Sequence, residues 1–249
     1  HGLNYIVTGH YARIERDENT GRYLLKKGVD EGKDQSYVLY NLTQHQLAHT
    51  IFPLGAYSKT QIREMAEQQG FCNARKHDSQ DICFVPDGDY VGFMEQYTGK
   101  RYPSGDFIDE SGKKIGTHAG AVRYTIGQRR GLGLPMGDRV YVCAKDMEKN
   151  TVTVGPVESL FATRVIVRDM NWISVPELTG EMRVKAKLRY RQKEQPAVAS
   201  PLDGGRILLT FDEPQRGPAI GQAAVLYDGD TVVGGGTICG VPKDGEVCR

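Results

Sequence analysis

No apolar run in this chain approaches the roughly 20 residues of a membrane-spanning helix, and no signal-peptide pattern is visible. Cysteine is sparse and unordered: Cys72, Cys83, Cys143, Cys239 and Cys248 are odd in number, with no CxxC and no Cys/His metal spacing. That scatter argues against a disulfide framework and against structural zinc, and it leads one to expect a reducing cytoplasm. Internal repeats and low-complexity stretches are lacking too. So is any large excess of charge: 32 Lys and Arg against 31 Asp and Glu leave a formal net charge of +1. The whole molecule therefore does not advertise a polyanion partner, and a site for one must come from local segregation.

What is present is ordinary in bulk and uneven in detail. With 249 residues, 39% hydrophobic and 25% charged, the chain is long enough for one large domain or two to three small ones. Segregation of charge is visible from position 183 onward. Arg183, Lys185, Lys187, Arg189, Arg191 and Lys193 alternate with Val184, Ala186, Leu188 and Tyr190. As a strand, this segment would present a cationic stripe on one face and an apolar row on the other. Two readings are open: a solvated edge strand blunted by charge, or a surface that tracks phosphates. The second would lose roughly 10³-fold in affinity between 50 and 200 mM salt if about six phosphates were neutralised.

Along the chain, Leu3 to Thr8 is apolar and β-branched enough for a buried strand, ending at Gly9-His10-Tyr11. A domain seldom begins on a central strand, so further chain is expected upstream. Tyr11 to Ile14 and Arg22 to Lys26 predict a hairpin around 17–21. Two helix starts follow. Thr43 with Gln46 and Ser58 with Gln61 form capping boxes, Leu42 with Leu47 a hydrophobic staple, and Gly70 closes the second helix. From Asp87 to about Pro156 the chain is glycine-richer and suggests a small mixed domain, with an apolar alternation at Tyr141 to Ala144. From about Leu160 to Cys239 the runs Arg164 to Val167, Gly205 to Phe211, Ala223 to Tyr227 and Thr231 to Ile238 predict a small barrel or sandwich. The turn pair Asp228-Gly229 breaks them.

Cys83 stands in Lys76-His77-Asp78-Ser79-Gln80-Asp81-Ile82-Cys83-Phe84-Val85, a setting that suits a chemically active thiol. A thiolate needs exposure and a nearby cation or helix N-terminus, and Lys76 and His77 are candidates for the cation. The alternative is a small buried hydrophobe, the commoner state of free cysteine.

Five motifs in order, Thr8-Gly9-His10-Tyr11, Lys33-Asp34-Gln35-Ser36-Tyr37, Asp78 to Phe84, Thr125-Ile126-Gly127-Gln128-Arg129-Arg130-Gly131-Leu132-Gly133 and Arg189-Tyr190-Arg191-Gln192, resemble the tRNA-specific 2-thiouridylases (MnmA/TrmU type) over almost the whole chain. The resemblance implies an α/β remnant of an ATP-pyrophosphatase (PP-loop) domain, a small mixed α+β central domain and a C-terminal antiparallel β-barrel. Their expected bounds are 1–86, 87–157 and 158–249. It also implies replacement of the C2 oxygen of a wobble uridine by sulfur, with ATP and Mg2+ adenylating the base and a cysteine persulfide delivering the sulfur. In the family the Ile-Cys-Phe cysteine carries that persulfide, which maps onto Cys83. A desulfurase or a sulfur-relay protein would load it.

The family's phosphate loop, Ser-Gly-Gly-Val-Asp-Ser, and its first catalytic cysteine have no match in these 249 residues. The chain therefore resembles a C-terminal portion, expected neither to bind ATP productively nor to turn over alone. A stand-alone RNA-binding module without catalysis is the alternative. Gly9 matches a nucleotide-site residue or is a plain turn glycine. His10 matches a tRNA contact or is a satisfied turn histidine. Lys33, Asp34 and Gln35 match a stretch touching tRNA near the target base, or form a loop in which Asp34 or Ser36 merely caps. Arg189, Tyr190 and Gln222 match further tRNA contacts. Gln222 reads equally as a turn cap, and Arg189 and Tyr190 share an RNA face only if a bulge or strand end lies between them. Arg129 and Arg130 suit phosphate but receive no role. Cys72, Cys143 and Cys239 are expected to be packing residues, and Cys248 to lie in a loose tail.

Overall fold

The expected capping boxes organise the N-terminal elements. β1 (Ile6–Val7) pairs in parallel with β4 (Thr50–Ile51), while β2 (Ala12–Arg16) and β3 (Tyr23–Lys27) form the antiparallel hairpin around 17–21. Thr43 caps α1 (Gln44–Ala48) and Ser58 caps α2 (Lys59–Gln68), each in a complete box with the glutamine three residues on. At the end of α2, Gly70 N–H and Phe71 N–H bond Glu67 O and Ala66 O at 2.9 Å each, and Gly70 takes φ +72. That is the Schellman closure, which satisfies carbonyls the helix leaves over.

The computed structural model describes residues 2–75, 85, 88–134 and 139–242. Two units can be separated: 1–76 with 163–214 and 219–249, and 77–162 with 215–218. The second holds α3 (Tyr90–Thr98) and a four-stranded sheet in the order β6-β5-β8-β7, from β5 (Gly105–Ile108), β6 (Lys114–His118), β7 (Tyr141–Asp146) and β8 (Thr151–Gly155). The β5–β8 pairing is parallel and its neighbours antiparallel, so the sheet is mixed. Its core gathers Phe107, Tyr124, Leu132, Val142, Val152 and Val154.

In the first unit six strands close a barrel: β9 (Phe161–Trp172), β10 (Met182–Lys187), β11 (Gln195–Leu202), β12 (Arg206–Arg216), β13 (Ala223–Asp228) and β14 (Thr231–Gly240). The order is β13-β10-β11-β12-β9-β14, with β13 pairing back on β14, and β3-β2 extends the sheet beyond β14. Alternation along the strands sends Val165, Val184, Ala197, Leu209 and Leu226 into one core. β13 differs, because its unbroken Ala-Ala-Val-Leu-Tyr run is buried on both faces. Ala224 and Leu226 face the barrel core, whereas Val225 and Tyr227 join Ala12, Leu25, Tyr37, Leu47 and Phe52 in a second one.

Three expectations need correction. Leu3 to Thr8 is not a buried strand: only Ile6–Val7 is extended and paired, and Leu3, Tyr5, Ile6 and Val7 are all exposed, because among the described residues the strand has one short neighbour and no covering layer. The six-cation stripe is cut in half, since β10 ends at Lys187 and 188–192 turn back. Its first member, Arg183, is bidentate to Asp212 on β12, so the face is partly neutralised across the sheet. Cys72 is exposed rather than packed, because it follows the closed end of α2 in a surface turn. No helix among the described residues is long and apolar enough to cross a membrane.

Candidate nucleic-acid interface

The Lys33-to-Tyr37 motif lies in a turn-rich loop, 28–41, between β3 and α1. Its shape is set by Asp34. One carboxylate oxygen accepts from Gly28 N–H at 3.0 Å and Ser36 N–H at 3.1 Å, and the other from the Ser36 hydroxyl at 2.8 Å. Asp34 thus caps the loop, one of the two arrangements expected for it. Gln35 ties the loop to the chain after β1: its N–H donates to Tyr11 O and its Oε1 accepts from Tyr11 N–H, both at 2.9 Å. Gln35 and Lys33 are both half exposed.

A second loop, after β10, meets the first. Tyr190 donates its hydroxyl to Asp34 O at 3.3 Å, and its ring lies 6.0 Å from that of Tyr37. Tyr37, nearly buried, donates to Ala223 O at 3.0 Å, beside exposed Gln222, and the Lys187 ammonium stands 5.7 Å over its ring. Burial pushes the Tyr37 phenol up to about 12, with Tyr40 adding and the nearby Arg189 charge opposing. Below it Ser36 and Tyr227 share a hydroxyl contact of 3.3 Å, and burial raises the Tyr227 phenol as well. Both phenols are therefore neutral donors at pH 7. Because β10 ends at Lys187, Arg189 and Tyr190 belong to a turn and not to opposite faces of a strand.

His10 continues the surface. Its Nδ1 is 2.8 Å from Thr8 Oγ1 and its ring stands edge-on to Phe52 at 5.8 Å, which leaves Nε2 for another partner. Gly9 is exposed just beyond the carboxyl end of β1. Gly55 holds this segment close to the loop, since a Cβ there would stand 1.7 Å from Ala12 O. The eight residues expected at the nucleotide and tRNA, namely Gly9, His10, Lys33, Asp34, Gln35, Arg189, Tyr190 and Gln222, all lie in the first unit, on segments that the Tyr11–Gln35, Tyr190–Asp34 and Tyr37–Ala223 bonds tie together. Cys83 itself lies outside the described residues, with Lys76 and His77. Ser36, Tyr37 and Tyr227 were not legible as supports of this surface: the first two showed only as members of the Lys33-to-Tyr37 motif, and Tyr227 only as the end of the Ala223-to-Tyr227 run. Among the described residues no group of three or more metal-ligating side chains is found.

Family models match three successive segments: the tRNA methyl transferase HUP domain over 1–87, the tRNA methyl transferase PRC-barrel domain over 91–156, and the aminomethyltransferase beta-barrel domain over 162–238. The tRNA-specific 2-thiouridylase MnmA 1 of Thermoanaerobacter sp. strain X514 is 52% identical over 94% of this chain and 64% of its own length. The chain belongs to the tRNA-specific 2-thiouridylase (MnmA/TrmU) family. Its similarity extends to the MnmA of Heliobacterium modesticaldum, 50% identical over 95% of this chain and 62% of that protein, and of Acetivibrio thermocellus, 48% over 95% and 66%. The chain thus spans under two thirds of the length of these 2-thiouridylases. The three matched segments correspond to the α/β elements before α3, the mixed sheet, and the closed barrel.

Proposed function

We propose that this protein serves the 2-thiolation of wobble uridine in tRNA, and that the linked loops 9–11, 33–37 and 189–191 with Gln222 grip the RNA beside the target base. The observation that carries the RNA part is the Tyr190–Asp34 contact at 3.3 Å, which joins two motifs 156 residues apart into one surface. On it Lys33, Lys187 and Arg189 supply charge, His10 Nε2 and Gln35 Nε2 supply polar edges, and Tyr190 supplies a ring that is 43% exposed, enough for a base to stack on. Asp34 holds the loop in shape.

The chemical part rests on family membership and on Cys83. ATP with Mg2+ supplies, when bound, the AMP group that makes the uridine C2 oxygen a good leaving group. Gly9 suits a nucleotide contact: it is exposed at the carboxyl end of a parallel strand, where α/β sheets bind ligands, and a Cβ there would meet only Leu54 Cδ1 at 3.4 Å. Cys83, loaded by a desulfurase or relay protein, attacks C2 with its terminal persulfide sulfur as the activated oxygen departs. A second cysteine thiolate then attacks Cys83 Sγ, forming a disulfide and leaving the sulfur on the base. That cysteine and the phosphate-cradling loop belong to the longer members of the family, so turnover needs the full-length protein, and the cytoplasm is its setting.

Anisotropy of this chain with a wobble-uridine tRNA at 50 and 200 mM salt tests the RNA part. Salt-sensitive binding that weakens about tenfold in Arg189→Ala is expected, in line with one lost phosphate contact at 0.1 M salt. In the full-length protein, Cys83→Ser is expected to abolish 2-thiouridine, read by mass spectrometry of digested tRNA, with affinity unchanged. A fully active Cys83→Ser protein would overturn the role of Cys83, and tRNA binding by a full-length protein that forms no 2-thiouridine would favour the binding module.

A further inference from the structure

The proposed RNA surface leaves one rigid cationic loop without a task. Residues 125–133 cross the second unit's core on buried anchors at Tyr124 and Leu132, each 8% exposed. Gln128 spends both ends of its amide inside the loop: Oε1 accepts from Thr125 N–H and Nε2 donates to Arg130 O, both at 3.0 Å. Backbone bonds Gly127 N–H to Val142 O at 2.8 Å and Val142 N–H to Gln128 O at 3.0 Å sew the loop to β7. Positive φ at Gly127, Gly131 and Gly133 allows the tight reversals. Below the loop, Lys145 Nζ donates to Tyr124 O at 2.7 Å.

At the tip of this braced loop Arg129 and Arg130 are both exposed, and neither guanidinium has an ion-pair or hydrogen-bond partner among the described residues. No Asp or Glu occurs between Glu110 and Asp138, a stretch that contains Lys113, Lys114, Arg123, Arg129 and Arg130. Two adjacent like charges on a loop with so much internal bonding repel each other, and neither has an ion-pair partner among the described residues to offset that. An arriving anion relieves that repulsion, and the planar fork of arginine matches phosphate oxygens in a bidentate way that lysine does not. The double amide brace and the buried anchors fix the backbone from which the two arginines project, so the loop itself need not be ordered when a ligand arrives, which lowers the entropy cost of gripping it.

We propose that Arg129 and Arg130 form a phosphate clamp that binds the RNA backbone outside the surface around Tyr190, adding affinity independent of sequence. This rests on the reading that the protein binds tRNA. The test is tRNA anisotropy of the wild-type chain, R129A/R130A, R129K/R130K and R189A across 50–300 mM salt, with circular dichroism to verify folding. The double alanine variant is expected to lose about tenfold per lost contact at 0.1 M salt, with a salt slope shallower by about 1 to 2. The loss should be the same for unrelated RNAs, and the lysine variant should retain most of the slope. If R189A weakens binding and R129A/R130A does not, the clamp is refuted while the RNA reading stands, and an acidic protein becomes the better ligand for the loop. If the wild-type chain shows no salt-sensitive tRNA binding, both fail.

Discussion

His118 shows how much a single buried side chain can reveal. It is 3% exposed, its Nδ1 accepts from Gly120 N–H at 3.0 Å, and Phe107 and Tyr124 enclose it at ring distances of 5.2 and 5.4 Å. Burial lowers its pKa from the ordinary value of 6.5, opposed by the carbonyl of Asn150 and the charge of Asp106. Because the folded pKa lies below the unfolded one, its contribution is fully present above about pH 6.5 and falls as the pH drops toward the folded pKa. Chemical denaturation of this chain at pH 7.5 and 5.5 should show the second unit less stable at the lower pH, and His118→Gln should flatten that difference. Cysteine chemistry divides at the same scale. Burial, with Glu110 adding, pushes the Cys143 thiol up to about 11, and Cys239 is half-buried with Sγ 3.6 Å from Ile166 O, whereas Cys72 is exposed. With Cys83 and Cys248 replaced by serine, alkylation at pH 8 read by peptide mass should mark Cys72 first, ahead of Cys143 by about two orders of magnitude.

Among the elements, those with local chemistry of their own were legible in the sequence. Both capping boxes, the closure at Gly70 and the hairpin around 17–21 depend on contacts within a few residues, and each formed as its residues predict. Ser58→Ala should therefore cost about 1 kcal/mol in thermal or chemical unfolding, the usual loss for an N-cap. β11 was less legible because Pro196 and Pro201 interrupt it, yet it pairs on both sides, with β10 and with β12. The end of β10 at Lys187 was illegible for the opposite reason: alternation continues in the sequence to Lys193, while the chain turns where Leu188 N–H meets Gln192 Oε1 at 3.2 Å. Gly55 gives no sign of its constraint, since its neighbour is the backbone of β2. Gly55→Ala should cost about 3 kcal/mol or more and loosen the 9–11 segment, which hydrogen exchange at Tyr11 and Gln35 would report.

On the scale of the whole molecule, the segment before α3 and the barrel share a core. Ala12, Leu25, Leu47 and Phe52 pack with Val225, Tyr227 and Val232, and Arg22 reaches Trp172 O and Ile173 O at 2.9 and 2.8 Å. A polypeptide of residues 1–86 alone should therefore lack cooperative unfolding by circular dichroism, whereas a chain also carrying 163–242 should regain it. The sequence alone determined the class of each region, the helix caps, the family and the motifs of the candidate site, because periodicity, capping and motif order are written in neighbouring residues. Only the tertiary structure decided that β13 is buried on both faces, that Asp34 is spent on its own loop, and that Tyr190 closes on it from 156 residues away. Those outcomes depend on which backbone atoms meet across the barrel, and contacts between distant segments leave no periodic trace in either one.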